Sequence, residues 1–259
     1  MGKIADILQQ RGQTDEALRI RRKVQLPVYE RFGDVKGKAV TMGKIADILQ
    51  QRGEIDEALR IRREEELPVY ERLGDVRLKA VTMGKIADIF QQRGEIDEAL
   101  RIRRKECIPV FKRLGDVKGK AVTMGKIADI LQQRGEIDEA LRIRREEQLP
   151  VYERLGDVRS KAVTMGQIAD IFQQRGEIDE ALRIRREEEL PVYERLGDVR
   201  EQSVCRWKIG MALFKKPSPT KAESEEAREH LIWALATAEK HQYAEAAQLL
   251  KFVTQLGIA

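Results

Sequence analysis

The chain repeats itself every 41 residues, and this self-similarity constrains its fold more than any other feature. The string MGKIADI begins at Met1, Met42, Met83 and Met124, and the variant MGQIADI begins at Met165. A fixed period of this length is typical of proteins in which each repeat packs only on its neighbours. We therefore expect five tandem repeats in 1–205 (1–41, 42–82, 83–123, 124–164 and 165–205), followed by a divergent sixth helix pair and a C-terminal capping helix in 206–259.

Each repeat carries two amphipathic helical patterns separated by glycine turns. From Val76 to Phe90 apolar residues recur every three or four positions, which predicts a helix of about 17 residues. Gly74 suits the left-handed position that ends the preceding helix, and Asp75 suits the N-cap of the next. For the second helix we expect Asp56 as the N-cap. Because short turns force antiparallel neighbours and neither helix can bury its stripe alone, the sequence predicts an all-α stack of helix pairs.

A proline recurs inside the second helix of every repeat, at Pro27, Pro68, Pro109, Pro150 and Pro191. Proline in a regular helix removes one backbone hydrogen bond and costs about 3 kcal/mol. We expect a kink or a one-residue bulge just before it, at Glu64 to Leu67 and the equivalent positions. The alternative is a break of the second helix into two short helices.

The run from Ala46 to Ala58 resembles the core of a tetratricopeptide repeat (TPR). A small residue, Ala46, is followed by a large apolar one, Leu49, then by the turn at Gly53 and by Glu57-Ala58 on the second helix. The resemblance covers residues 1 to about 215. It implies a right-handed α-solenoid, a TPR-like superhelix of stacked antiparallel helix pairs, with five 41-residue repeats and a divergent C-terminal cap.

The repeat also departs from the family pattern. It is longer than the classical unit of about 34 residues, and Arg62 stands where the family has an aromatic residue. In these respects it is similar to a variant of about 40 residues that is common in bacterial regulators and scaffolds, including arrays of nearly identical copies.

The divergent end reads as a helical cap. The segment 220–240 predicts a helix with Thr220 as its N-cap, and 243–256 predicts a last short helix. We expect the two tryptophans, Trp207 and Trp233, to pack in this region. Terminal repeats of such arrays differ from the interior ones because one of their faces meets water.

Nothing in the sequence points to catalysis. No glycine-rich nucleotide motif, Walker A motif or HExxH motif occurs. His230 and His241 are expected to face solvent, and Cys107 and Cys205 are expected to be incidental reduced thiols, because neither pair forms a cluster with metal-ligand spacing. We therefore predict no enzyme activity, no cofactor and no metal site.

The charge balance and the hydropathy limit the classes of partner that the chain is expected to bind. The chain has 49 basic and 44 acidic residues, and Glu64 and Glu66 follow Arg60 and Arg62 at the i+4 spacing that allows pairing. We expect a solvated, self-compensating helix surface, which argues against nucleic-acid binding, although the third repeat is more basic. No apolar stretch approaches the roughly 20 residues of a membrane helix and no signal peptide is evident, so the expected location is cytoplasmic.

The resemblance implies a binding surface on the first helices, which line the concave groove in TPR arrays. The candidate groove positions are Lys3, Asp6, Lys44, Asp47, Gln51, Lys85, Asp88, Lys126, Asp129, Gln167 and Asp170. TPR domains that clamp a terminal carboxylate have asparagine where this chain has aspartate, which disfavours that ligand class. The lysine and aspartate at i and i+3 could bind a charged, extended partner. Alternatively, these pairs only neutralise one another.

We therefore predict a non-catalytic scaffold that binds a peptide or protein on its concave face. Two alternatives stay open: a self-associating array that forms head-to-tail dimers or filaments, and a sensor or docking arm of a larger signalling or defence protein. Met1 lacks before it the residues that open every other first helix, so either the first helix is short or the chain is a fragment of a longer array.

Overall fold

The computed structural model describes residues 2–243 and 245–257, and within these residues it contains helices and turns but no strand. The chain forms two compact units, of which the first ends at Ile130 and the second begins at Leu131. This boundary falls inside a helix, Val117–Gln133. No helix of the described part is both long and apolar enough to cross a bilayer.

The helices alternate between two types, which we group into helix pairs numbered 1 to 6. The first helices of pairs 1 to 6 are Gly2–Gln10, Val35–Gln51, Val76–Gln92, Val117–Gln133, Val158–Gln174 and Val199–Phe214. The predicted 17-residue helix is thus confirmed in Val76–Gln92. Each sequence repeat starts in the middle of a first helix, because Met42 lies inside Val35–Gln51. The predicted domain limit at 205/206 likewise falls inside Val199–Phe214 and stays a prediction.

The second helices of pairs 1 to 5 each consist of a short α-helical segment, a π-helical segment and another α-helical segment. These are Thr14–Ile20, Arg21–Gln25 and Leu26–Phe32 in pair 1, and Ile55–Arg60, Ile61–Glu66 and Leu67–Arg72 in pair 2. Pair 3 has Ile96–Ile102, Arg103–Cys107 and Ile108–Arg113. Pair 4 has Ile137–Arg142, Ile143–Gln148 and Leu149–Leu155, and pair 5 has Ile178–Ile184, Arg185–Glu189 and Leu190–Leu196.

The wide π-helical turn is how the chain accommodates its internal proline. In pair 2 the backbone N–H of Leu67 donates to the carbonyl of Arg62, five residues earlier, and Pro68 follows directly. An i to i−5 bond shifts the carbonyls that a regular helix would place against the proline ring. The backbone stays right-handed helical at Glu66 and Leu67. The expected bulge is therefore confirmed, and the alternative of two separate short helices is wrong.

Local capping rules explain the start of the first helices but not that of the second ones. The Asp75 carboxylate accepts a hydrogen bond from the Leu78 N–H at 3.0 Å, and Gly74 has the predicted left-handed backbone at φ 64°. The expectation that Asp56 caps the second helix is wrong. The Glu54 carbonyl already accepts from the Ala58 N–H, so the helix begins at Ile55 and Asp56 lies in its first turn.

Small residues at the helix contacts allow the two helices of a pair to approach closely. In pair 2, Ala46 and Ala58 are fully buried, and they are the two alanines of the TPR-like pattern. Ile48 and Leu49 are buried beside them. Burial of such apolar side chains is the main stabilising contribution to a fold of this kind. In the second unit the equivalent core is continued by Ile209 and Leu213 of pair 6.

The cap of the second unit follows the predicted pattern with one shorter element. The helix Lys221–Lys240 begins with a capping box, in which Thr220 accepts from the Glu223 N–H and Glu223 accepts from the Thr220 N–H. The last helix is Ala246–Gln255, which lies inside the predicted range 243–256. Trp207 packs edge-on against Phe252 at 5.2 Å, and the Arg206 guanidinium lies over Trp233 at 4.7 Å, so both tryptophans pack in the cap.

Candidate functional site: the first-helix face and the arginine beneath it

The first helices present a stripe of four side chains at equivalent positions, which we call the first-helix face. In pair 2 the stripe is Val40, Lys44, Asp47 and Gln51, at steps of three or four residues that place them on one side of the helix. In pair 3 it is Val81, Lys85, Asp88 and Gln92. The valines are exposed by 38% at Val40 and 37% at Val81, so the face combines an apolar row with charged and amide rows.

The predicted lysine and aspartate positions are brought together, but between neighbouring helix pairs. Lys44 donates to Asp6 of pair 1 at 2.8 Å, and Lys85 donates to Asp47 of pair 2 at 3.2 Å. In the second unit Lys208 donates to Asp170 at 2.8 Å. The bonds that Lys44 and Asp47 form thus run to neighbouring pairs, and not between these two residues of one helix as one of the alternatives supposed. The lysines join successive pairs instead.

The same aspartates bind a buried arginine from their own pair. Arg62 donates to Asp47 at 2.6 Å, Arg21 to Asp6 at 2.7 Å, and Arg185 to Asp170 at 2.5 Å. The bonds from Lys44 and Arg21 hold the pKa of Asp6 below its usual range. Each of these aspartates thus accepts hydrogen bonds from two cationic side chains, an arginine of its own pair and a lysine of the next pair.

The burial of this arginine contradicts the sequence prediction of a solvated surface. Arg60 is exposed and pairs with Glu64 at 3.3 Å, as expected. Arg62 pairs with Glu66 at 2.9 Å, also as expected, but its side chain is only 2% exposed. Arg62 faces inward, where Glu66 and Asp47 accept its hydrogen bonds. The TPR pattern that the sequence resembles has an aromatic residue here, so the departure from that pattern was the indication in the sequence that this position belongs to the interior.

The residue four positions after the buried arginine varies between repeats. It is Gln25, Glu66, Cys107, Gln148 and Glu189 in pairs 1 to 5. Glu66 accepts from Arg62 and from Thr82 (3.1 Å), and burial raises the pKa of its carboxyl group. Burial also raises the pKa of the Cys107 thiol to about 11. In pairs 2 to 5 this position is therefore buried, and its side chain differs in polarity and charge from one pair to the next.

The remaining predicted residues differ in how exposed they are and in what they contact. Lys3 and Lys126 are exposed, Asp129 is half-buried, and Gln51 accepts a long hydrogen bond from Gln9 at 3.4 Å. Gln167 replaces the row's lysine in pair 5, and its side-chain oxygen accepts from Arg144 at 2.6 Å. The predicted groove residues thus share one face of the first helices, and several of them are engaged in the structure of the array itself.

In the second unit a cavity of about 420 Å³ opens beside the first-helix face. Its lining is mainly apolar and aromatic, with a few polar groups, and comprises Arg200, Ser203, Val204, Trp207, Met211, Ala238, Tyr243, Glu245, Gln248, Leu249 and Phe252. Val204 is the stripe valine of pair 6. Trp207 and Met211 also line an open polar groove with Asp170, Gln173, Gln174, Lys208 and Lys215. Two residues therefore form the wall that the cavity and the first-helix face share.

Sequence reasoning placed the tryptophan in the cap but did not predict this cavity. The cavity depends on how three helices of the divergent end diverge around Trp207, and no repeated pattern specifies that packing. The indication in the sequence was compositional, because Trp207, Tyr243 and Phe252 all lie in the divergent end of a chain that has few aromatic residues.

The two histidines lie in different environments. His241 is exposed and stacks on Tyr243 at 5.5 Å. The side chain of His230 is only 12% exposed and lies near Glu226 at 3.6 Å and Arg206 at 3.4 Å, so the expectation that it faces solvent is wrong. Burial, followed by the charge of Arg206, lowers its pKa. No group of three or more histidine, cysteine or acidic residues that could hold a metal ion occurs among the described residues.

Comparison with known proteins gives the fold but no sequence relative. No protein-family model matches the sequence. No curated protein matches it either. BtubC (BKLC) from P. vanneervenii is similar in structure with a TM-score of 0.67 and 16% identity, covering 91% of this chain and 92% of that one. Nearly identical TPR-like repeats from P. anserina match with a TM-score of 0.58 and 15% identity, over 79% of this chain and 96% of theirs.

A third similar structure is much longer than this chain. It is a STAND protein, a Signal Transduction ATPase with Numerous Domains, with a tetratricopeptide repeat sensor, from Pyrococcus horikoshii. The TM-score is 0.70 at 15% identity, and the match covers 95% of this chain but 37% of that protein. At such identities the likeness shows the fold alone. Together with the repeating helix pairs and the buried alanines, it shows that this chain has the TPR-like repeat fold.

Proposed function

We propose that this chain is a non-catalytic scaffold that binds an extended peptide, or an extended segment of a protein, on the first-helix face. The resemblance to TPR arrays, in which the first helices line the concave side, supports this choice of face. The observation that carries the proposal is the cavity in the second unit, which opens beside that face and shares Trp207 and Met211 with it.

The cavity has the properties of a site for one bulky apolar side chain. Its volume lies at the lower end of the range of about 300–1,000 Å³ that is usual for ligand pockets, and its walls are mostly aromatic and aliphatic. Three of its polar residues already have partners, because Ser203 donates to the Ala234 carbonyl and Arg200 pairs with Glu245, and Gln248 is exposed to solvent. A neutral, apolar group from the peptide therefore fits it better than a charged one.

Within the second unit, the first-helix face beside the cavity would contact the peptide backbone and its smaller side chains. Asp170 and Lys208 are bound to each other, but their side chains are still 37% and 36% exposed, so they can accept or donate further hydrogen bonds. The first unit, taken by itself, offers equivalent groups in Asp47 and Lys85, whose side chains are 32% and 44% exposed, and in the exposed Val81. Repeated groups at a constant spacing suit an extended chain, whose own groups also repeat. A cytoplasmic location is part of this proposal.

The test is a selection of binding peptides from a random displayed library with the full chain, followed by affinity measurements on the selected peptides. Gln248→Trp places a large side chain at the mouth of the cavity, and Val81→Glu places a charge in the valine row of the first unit. Thr254→Trp, on the same short helix as Gln248 but outside the cavity lining, is the matched control.

We expect the selected peptides to contain a bulky apolar residue and to lose about tenfold or more in affinity with Gln248→Trp, a loss of about 1.4 kcal/mol. Thr254→Trp should leave their affinity unchanged. If the selection yields no binders, or binders that tolerate both Gln248→Trp and Val81→Glu, the first-helix face is not the binding surface.

A further inference from the structure

One ion pair that recurs along the array is replaced by two lysines in helix pair 3. Near the end of the second helix a glutamate meets a lysine of the next first helix: Glu30 and Lys38 at 2.7 Å, and Glu71 and Lys79 at 2.9 Å, in the first unit. Within the second unit Glu153 and Lys161 do the same at 2.9 Å. The corresponding residues of pair 3 are Lys112 and Lys120, and within the described residues neither takes part in an ion pair.

A second substitution in the same pair also replaces a glutamate with a lysine and so makes the charge more positive. Glu64 pairs with Arg60 at 3.3 Å, and Glu187 pairs with Arg183 at 3.2 Å in the second unit. Lys105 stands at this position in pair 3, exposed and, within the described residues, outside any ion pair. The segment 83–123 consequently has ten basic and six acidic residues, a net charge of +4, whereas 42–82 has eight and nine, a net charge of −1.

The three lysines form a surface whose positive charge is not neutralised. Lys105 and Lys112 are seven residues apart on one helix, and Lys112 and Lys120 occupy positions that sister pairs bring within ion-pair distance. Like charges so placed repel each other, and an added anion removes that repulsion. The acidic groups nearby are engaged: Glu106 with Arg101 at 3.6 Å, and Asp116 with Arg77 at 2.9 Å.

We infer that Lys105, Lys112 and Lys120 form a docking surface for a short acidic segment of a partner protein. The size of the surface favours a compact partner over a nucleic acid. Polynucleotide affinity grows with the number of phosphates that are neutralised, and this surface is confined to one helix pair. On the neighbouring pair 2 the basic groups Lys79 and Arg60 already hold Glu71 and Glu64.

This surface contains no residue of the first-helix face, so it does not depend on the proposed peptide site. It lies on the second helix of pair 3 and on the first turn of the helix that follows. A protein could occupy it whether or not a peptide occupies the first-helix face. The two proposals can therefore fail separately.

The test compares the full chain with the double variant K105E/K112E, which gives pair 3 the same residues as pair 2 at these positions. The sister pairs show that glutamate is accommodated there. The control variant K221E/K251E changes the net charge equally at two exposed lysines of the second unit. The probes are a labelled hexaglutamate peptide and a labelled oligodeoxythymidylate, titrated at low and at physiological salt.

We expect hexaglutamate to bind the unaltered chain about fivefold or more tightly than it binds K105E/K112E, and to bind K221E/K251E like the unaltered chain. Equal binding of hexaglutamate by the unaltered chain and by K105E/K112E would overturn the proposal. Tighter binding of the oligodeoxythymidylate than of hexaglutamate, lost in K105E/K112E, would overturn the assignment to a protein partner. A lower thermal midpoint for Lys112→Glu would contradict the like-charge repulsion on which the inference rests.

Discussion

Arg62 and Asp47 join the two helices of one pair from within: the guanidinium Nη2 donates to the carboxylate Oδ1 at 2.6 Å, and the arginine side chain is 2% exposed. The same arginine also binds Glu66, and its backbone carbonyl accepts the wide π-helical hydrogen bond from Leu67. Side chain and backbone of one residue thus connect the core of the pair with the turn that accommodates Pro68.

Replacing this arginine should be costly. We expect Arg62→Ala to lower the free energy of unfolding by about 3–5 kcal/mol, because it leaves the buried Glu66 without its cation. Arg60→Ala, two residues away on the exposed side, should cost far less, because solvent screens exposed ion pairs. Urea unfolding followed by circular dichroism measures both. Similar losses for the two variants would show that burial of the pair does not control its contribution.

A helical glycine offers a matched pair of substitutions. A methyl group at Gly43 would come within 2.6 Å of the buried Glu66 carboxylate, whereas one at Gly84 would meet only the Cys107 sulfur, at 3.9 Å. We expect Gly84→Ala to stabilise the chain by about 0.5–1 kcal/mol through helix propensity, and Gly43→Ala to destabilise it by about 1 kcal/mol or more. Thermal unfolding of the two variants is the measurement, and a stabilising Gly43→Ala would contradict the packing described here.

Glu66 can be tested by the residue that replaces it elsewhere. Gln148 occupies the same position in pair 4 and accepts from Arg144 at 3.3 Å, so Glu66→Gln should fold normally. Because burial raises the pKa of the folded carboxyl above its unfolded value, the folded state binds the proton more tightly. This contribution to stability is present below about pH 4.5 and is lost as the pH rises through the folded pKa.

The measurement for Glu66 is the stability difference between the unaltered chain and Glu66→Gln at pH 4 and pH 7. We expect the glutamine variant to gain stability relative to the unaltered chain as the pH rises, because it has no buried carboxyl group to ionise. A difference that does not change with pH would show that Arg62 compensates the buried charge fully.

His230 should make the second unit sensitive to mild acid. Burial lowers its pKa, so the histidine binds a proton more tightly in the unfolded chain than in the folded chain. Stability should therefore fall as the pH drops below the ordinary histidine value of about 6.5. His230→Gln should reduce this fall between pH 7 and pH 5, and His241→Gln, at an exposed site, should leave it unchanged. Thermal midpoints at the two pH values measure the effect, and equal slopes for both variants would refute it.

Sequence rules predicted most of the fold because its elements are specified locally. Gly74 and Asp75 determine a helix end and a helix start within two residues, and Pro68, inside a helix, favours a kink or a bulge just before it. Arg62 could not be placed by the same rules. A charged side chain is expected outside, and its inward orientation depends on Asp47, which is 15 residues away and on another helix.

The sequence predicted which residues share the face of the first helices, but not which residues they bind. The spacing of Lys44 and Asp47 placed both on one helix face, but their actual partners, Asp6 and Lys85, belong to neighbouring pairs at a separation of 38 residues. The cavity at Trp207 has no counterpart in the repeats, so periodicity carried no information about it.

The offset between sequence repeat and helix pair has a consequence for how such an array can change its length. Excision of residues 42–82 would join Thr41 to Met83, and the junction would fall inside a first helix whose two halves already match the residues on either side. Lys85 would then take the place of Lys44. In the shortened chain it would follow Asp6 by 38 residues, as Lys44 does now. Gene rearrangements in steps of one repeat would therefore preserve the first helix and the lysine–aspartate bond between neighbouring pairs. Only the number of helix pairs in the array would change.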